Sequence, residues 1–141
     1  MGFSNRIPLR IEWGQCDPAG IVYNPRFFEW FDIGAWTLVQ AALGVPRNEL
    51  SSRFGIIGLP LVEAGANFKS ALKFGDNAEL VSTITDLGRS SLSVQHHIFK
   101  GDTLAVDGFE KRVWAAPHPD DPSRMRAMPF PDEVRARLGV G

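Results

Sequence analysis

The sequence predicts an α+β fold in which a curved, five-stranded antiparallel sheet wraps around one long central helix. Three observations carry this expectation. Apolar residues alternate with polar ones from Ile7 to Trp13, the period-two mark of a strand with one buried face. Next comes a segment apolar on almost every side, Phe27 to Leu43, too long for a strand and right for a buried helix. Four more strand-like stretches then follow with dividers too short for crossover connections, so they pair antiparallel. A helix with so little polar surface is satisfied if the sheet covers it.

In chain order, strand one runs from Ile7 to Trp13, with Pro8, Arg10 and Glu12 on its outer face. Gly14 to Asn24 carries Asp17-Pro18, Gly20 and Asn24-Pro25, a density of turn formers that makes it a loop. Asn24 is a favoured N-cap, and Pro25 suits the first helical position because its missing N–H has no partner there anyway. Gly44 supplies a left-handed C-terminal position and Pro46 forbids continuation, so the helix spans about 19 residues, or roughly 28 Å. Glu29, Asp32 and Gln40 share one narrow stripe of it. A loop rich in Ser, Gly and Arg leads to strands at roughly 59–72, 78–87, 91–100 and 104–116. Lys73-Phe74-Gly75-Asp76, Gly88-Arg89 and Gly101-Asp102 divide them. The segment Ala116 to Pro131 holds Pro117, Pro119, Pro122, Pro129 and Pro131 without periodicity and is expected to be irregular, with a short helix from Asp132 to Leu138. Residues 1–141 form one expected domain.

Fifteen Lys and Arg against sixteen Asp and Glu leave a formal charge of -1, so no field draws in nucleic acid or an anionic membrane. Cys16, the single cysteine, has no partner for an internal disulfide, and the N-terminus lacks a signal-peptide pattern; a cytoplasmic location is expected. Glu29, Asp32 and Gln40 make the long apolar segment a poor membrane span. His96 and His97 are neighbours on a strand and point to opposite faces, and His118 stands alone, so no metal site is expected. No G-x-S-x-G or phosphate-loop pattern occurs, and no cofactor is expected.

The run Trp13-Gly14-Gln15-Cys16-Asp17-Pro18-Ala19-Gly20-Ile21-Val22-Tyr23-Asn24-Pro25 resembles the active-site segment of the 4-hydroxybenzoyl-CoA thioesterase family. The resemblance continues through Trp30 and Asp32, Gly55-Ile56, Gly58 with Pro60, Phe68, Asp76, and Gln95 with His97, and fades in the proline-rich tail. It implies a hot-dog fold and cofactor-free hydrolysis of an acyl-CoA thioester, on a homodimer or homotetramer whose sites lie between subunits. It also implies that the matching aspartate, Asp17, acts as nucleophile or general base, and that the backbone N–H of Asn24 holds the oxyanion. Gly20, in the same loop, is counted with the substrate-binding positions. Members with this loop commonly carry a small residue at the position of Glu63 and a hydroxyl residue at that of Leu59. These departures point to another aromatic or a medium-length acyl group.

The chemistry of the residues runs beside this resemblance. Thioester hydrolysis needs a nucleophile or activated water, and donors for the charge that grows on the carbonyl oxygen. The first N–H groups of a helix lack internal partners and sit at the positive end of its dipole, so the Asn24-Pro25 start can offer such donors. Asp17 lies seven residues earlier; its alternative reading is a turn residue before Pro18. Asp32, two turns into the helix, either meets a polar group of the acyl part, such as a ring hydroxyl, or belongs to a solvated stripe. Glu63 would approach the helix if it faces inward. Arg89-Ser90-Ser91 occupies a hairpin turn where the resemblance places nucleotide-phosphate contacts, with Arg124 and Arg126 as helpers; arginine suits phosphate oxygens through its planar fork. Competing functions are a non-catalytic acyl-CoA or aromatic-ligand binder, and a dehydratase, which would need a histidine near Asn24.

Overall fold

The computed structural model describes residues 2–139. Five strands form one antiparallel sheet: β1 (Ser4–Arg10), β2 (Leu61–Phe68), β3 (Asn77–Leu87), β4 (Ser91–Lys100) and β5 (Thr103–Val113), in the order β1-β3-β4-β5-β2. The long helix α1 (Pro25–Leu43) lies against one face of it, the hot-dog arrangement the sequence predicts. Alternation decides that face: Leu80, Ser82 and Ile84 on β3, and Leu92, Val94, His96 and Ile98 on β4, are all buried. One apolar cluster forms around the start of α1, with Ile11, Phe27, Phe31, Leu72, Ile98 and Val106. Another forms around its end, with Leu38, Leu43, Ile84, Leu92, Trp114 and Leu138.

Two glycines let helix and sheet approach. A Cβ on Gly34 of α1 would stand 2.7 Å from Ser82 Oγ, and one on Gly108 of β5 would enter the Phe31 ring. The helix ends where expected: Gly44 has φ 67° and its N–H donates to Gln40 O at 2.8 Å. Arg137, from the terminal helix α3 (Asp132–Leu138), donates to Leu43 O at 2.5 Å, a cation on the negative end of α1. Phe28 and Ile33 are nevertheless 39% and 53% exposed, so the sheet leaves apolar side chains of the helix uncovered.

Several boundaries differ from the sequence reading. β1 begins three residues earlier, at Ser4, because Ser4, Asn5 and Arg6 pair with Thr83, Ser82 and Val81; their polar side chains concealed the strand. It stops at Arg10, since Glu12 and Gln15 fold into a 3-10 turn with Gln15 N–H on Glu12 O, leaving Trp13 68% exposed. β2 ends at Phe68 because Lys69 N–H and Ser70 N–H converge on the single carbonyl of Ala105. The last long strand breaks at Trp114, whose N–H turns to Ser90 O. Beyond the break, β6 (Ala115–Pro117) pairs with β7 (Met125–Ala127), so the proline-rich segment is not wholly irregular. A five-residue helix, α2 (Leu50–Phe54), interrupts the loop after α1 by burying Leu50. Among the described residues no helix is long and apolar enough to cross a membrane.

Candidate active site

The loop before α1 is ordered by pairing with itself. Cys16 bridges Val22, Asp17 N–H donates to Ile21 O at 2.9 Å, and Tyr23 N–H donates to Gln15 O at 2.8 Å. The reversal is a tight turn in which Gly20 N–H donates to Asp17 O at 2.9 Å, and Gly20 takes φ 82°, a left-handed conformation that favours glycine. Val22 N–H donates to Leu72 O, tying the loop to the segment that follows β2. Asp17, partly buried, accepts Ala19 N–H on Oδ1 at 2.8 Å, so one carboxylate oxygen shapes the turn.

Asn24 stands three residues beyond the Asp17–Ile21 pair, about 10 Å along an extended arm. Its side chain makes no cap hydrogen bond and its backbone is already helical (φ -49°, ψ -42°), contrary to the N-cap expectation. The reason is that few donors are left to cap: Pro25 has no N–H, and Arg26 N–H and Phe27 N–H already bond Tyr23 O and Asn24 O. The N–H of Asn24 itself meets no backbone acceptor among the described residues. A groove of about 260 Å³ opens beside it, walled by Val22, Asn24, Phe27, Phe68, Ser70 and Leu72. The rings of Phe27 and Phe68 lie 5.1 Å apart there. Asp17 is not among the residues of that wall.

The remaining sequence candidates fall in three places. Asp32 is half exposed and tethered: its Oδ1 lies 2.9 Å from Arg112 Nη2, while Glu29 pairs with Arg26 and Gln40 accepts Arg47 N–H. Glu63 does not approach the helix. It pairs with Lys111 and shares the outer face of the sheet with Lys111 and Phe109, because residues opposite each other in a ladder point the same way. Arg89, Ser90 and Ser91 sit at the β3–β4 turn, at the end of α1 rather than its start. β3 alone, which runs from the Asp17 end to that turn, spans about 35 Å. Arg126 lies near this turn, since β7 pairs with β6 directly after Trp114, whose N–H bonds Ser90 O.

Sequence reasoning missed a buried polar chain between α1 and the sheet. Ser82 Oγ lies 2.7 Å from His96 Nδ1, and His96 Nε2 lies 2.9 Å from Glu110 Oε1. Arg112 donates to both oxygens of Glu110 (3.1 and 2.7 Å) and to Leu59 O (3.0 Å). All four residues are at most 5% exposed. Phe31 stacks flat on His96 with ring centroids 4.7 Å apart. Burial by itself pushes the Glu110 carboxyl up, but hydrogen bonds from His96 and Arg112 outweigh it and hold the group below its ordinary range. Arg112 is likewise weakened as a cation by burial and, on balance, held above its ordinary value by Glu110 and Asp32. The signal was present in the sequence: Glu110 and Arg112, two apart, put opposite charges on the face that Val94, His96 and Ile98 assign to the core.

The model of the thioesterase-like superfamily matches residues 11–138, from the end of β1 to the end of α3. The chain belongs to the thioesterase-like superfamily. Within it, 4-hydroxybenzoyl-CoA thioesterase of Pseudomonas sp. strain CBS-3 is 32% identical over 137 residues, which cover 93% of this chain and 94% of that enzyme. The resemblance carried by the Trp13–Pro25 run is thus borne out. The crystal structure of an aspartate-to-asparagine mutant of 4-hydroxybenzoyl-CoA thioesterase in complex with 4-hydroxybenzoyl-CoA superposes with a TM-score of 0.84 at 27% identity, covering 96% of this chain and 99% of that one. A gentisyl-coenzyme A thioesterase structure gives a TM-score of 0.78 at 32% identity, covering 95% and 98%.

Proposed function

We propose that this thioester hydrolase cleaves the CoA thioester of an aromatic or medium-length acid, with the start of α1 as its oxyanion site and Asp17 as nucleophile or general base. The observation that carries the reading is the Asn24 N–H, unpaired by backbone at the positive end of a 19-residue helix and open to an apolar groove. A thioester oxygen held there would lie beside the apolar wall of Phe27, Phe68 and Leu72. The self-paired loop keeps Asp17 within a short arm of the same mouth, and its Asx turn engages only Oδ1. The relatives favour aromatic acyl groups, since those named above act on 4-hydroxybenzoyl-CoA and gentisyl-coenzyme A.

The site is completed by a second copy, in a homodimer or homotetramer. β2 is an edge strand, and Leu61, Val62 and Phe68 on it, with Phe28 and Ile33 on α1, are large apolar side chains left exposed. The separation between the Asp17 loop and the Arg89-Ser90-Ser91 turn supports the same view: a nucleotide phosphate bound by Arg89 and Arg126 fits a thioester bound at α1 most readily when the two come from different copies. Gly20 serves substrate binding by holding the turn, and Glu63, on the outer face, is left without contact to the acyl group.

The test is thiol release from benzoyl-, hydroxybenzoyl-, phenylacetyl- and short aliphatic CoA esters by the wild type and by Asp17→Asn. Turnover of at least one aromatic ester that falls about a thousandfold or more in Asp17→Asn, with binding retained, is expected. Equal rates in both proteins would sink the assignment of Asp17.

A further inference from the structure

The hydrolase reading uses the mouth of α1, the groove and Asp17, and gives no task to the buried chain Ser82–His96–Glu110–Arg112. We infer that this chain is a positioning device for Asp32, with Arg112 as the positioning residue that acts on the acyl end of the substrate through it. The inference rests on the acyl-CoA reading above.

Arg112 is fixed at each end of its fork. Nε and Nη2 hold Glu110, Nη1 holds Leu59 O just before β2, and Nη2 also reaches Asp32. Glu110 is pinned in turn by His96, which Ser82 and the flat Phe31 ring keep in place. A chain so costly to desolvate offers no stability that apolar side chains of similar volume would not match. Its one member that reaches the surface is Asp32, whose side chain is 50% exposed.

The location of that outlet matters. Asn24, Phe28 and Asp32 follow one another at intervals of four and so lie along one side of the helix. Asp32 is about 10 Å along the axis from Pro25 at 1.5 Å per residue. In a benzoyl thioester a para hydroxyl stands about 6 Å from the carbonyl carbon, and a hydrogen bond of about 3 Å at each end lengthens the span to a similar reach. An acyl ring lying over the exposed face of Phe28, its carbonyl at the Asn24 N–H, would therefore bring a hydroxyl hydrogen to Asp32. Arg112 holds the Asp32 carboxylate for that bond, and so selects acyl groups bearing a donor at the far end over those that lack one.

The test compares 4-hydroxybenzoyl-CoA with benzoyl-CoA in the wild type, Asp32→Asn, Arg112→Lys and the double variant. kcat/KM is measured for each, together with equilibrium binding of both esters to the same proteins carrying Asp17→Asn. Asp32→Asn and Arg112→Lys are each expected to reduce the preference for the hydroxylated ester about tenfold, the double variant no further, with benzoyl-CoA changed less than about twofold. If Arg112→Lys fails to fold, Glu110→Gln, which loosens the guanidinium without removing it, carries the same expectation at smaller size. Equal losses on both esters would make Arg112 merely structural and overturn the inference. So would an unchanged preference in Arg112→Lys or Glu110→Gln. A wild type that binds both esters but hydrolyses neither defeats the hydrolase reading alone, because the binding preference still decides the role of Arg112; binding of neither defeats both.

Discussion

Replacing Arg112 by methionine tests whether the buried chain is held by charge. The change removes both hydrogen bonds from Arg112 to Glu110, at 3.1 and 2.7 Å, and leaves a carboxylate 2% exposed with His96 as its remaining partner. Stripping one partner from a buried pair costs about 3–5 kcal/mol, a large share of the roughly 5–15 kcal/mol by which domains of this kind are stable. Urea unfolding at neutral pH, with both proteins fitted to the same m-value, measures it directly. The pH dependence then separates charge from packing. In the wild type the Glu110 carboxyl lies below its ordinary value of 4.5, so its contribution is whole above that pH and is lost as the pH falls through the folded value. In Arg112→Met the upward push of burial keeps His96 as an opponent but loses Arg112, the carboxyl takes up a proton sooner, and the penalty shrinks on acidification. The gap between the two proteins is thus widest near neutrality and narrows below about pH 4.5. A difference under about 1 kcal/mol at neutral pH, or one that does not change with acid, would refute the electrostatic account. Glu110→Leu added to Arg112→Met should restore part of the loss, because the orphaned carboxylate is gone.

Other outcomes follow from single contacts. Asp17→Asn keeps an oxygen for the Ala19 N–H, so its melting temperature should match the wild type while thiol release collapses; a joint fall of both would place Asp17 in the scaffold instead. Asn24→Ala should cost well under the ~1 kcal/mol typical of a lost N-cap, since the Asn24 side chain caps nothing; thermal unfolding decides this, and a full-sized loss would contradict it. Gly108→Ala should destabilise by about 1–3 kcal/mol, as the new methyl must displace the Phe31 ring from the sheet, and a neutral result in urea would show that the ring has room to move.

Much of the fold was legible because it rests on local rules. The period of two in β3 and β4, the Asn24-Pro25 start and the Gly44-Pro46 stop of α1 each follow from backbone geometry within a few residues, and all three appear where the sequence placed them. β1 was misplaced because its first three residues are polar and become a strand only through pairing with Val81, Ser82 and Thr83, which lie more than seventy positions away. The three-residue ladder of β6 and β7 was invisible for a similar reason: it exists because Trp114 turns aside to Ser90 and the chain returns beside it.

The loop from Trp13 to Pro25, the family it signals and the order of the long helix and the five long strands were thus settled by the sequence alone, since short-range propensity and a dense motif leave little else to choose. What surrounds that loop was decided by tertiary structure. Which way Glu63 points depends on the register of β2 against β5, and the partner of Asp32 depends on how near the helix can come to the sheet at Gly34 and Gly108. Burial makes an ion pair such as Glu110–Arg112 either costly or purposeful, and burial is a property of the folded whole that residues read one by one do not carry.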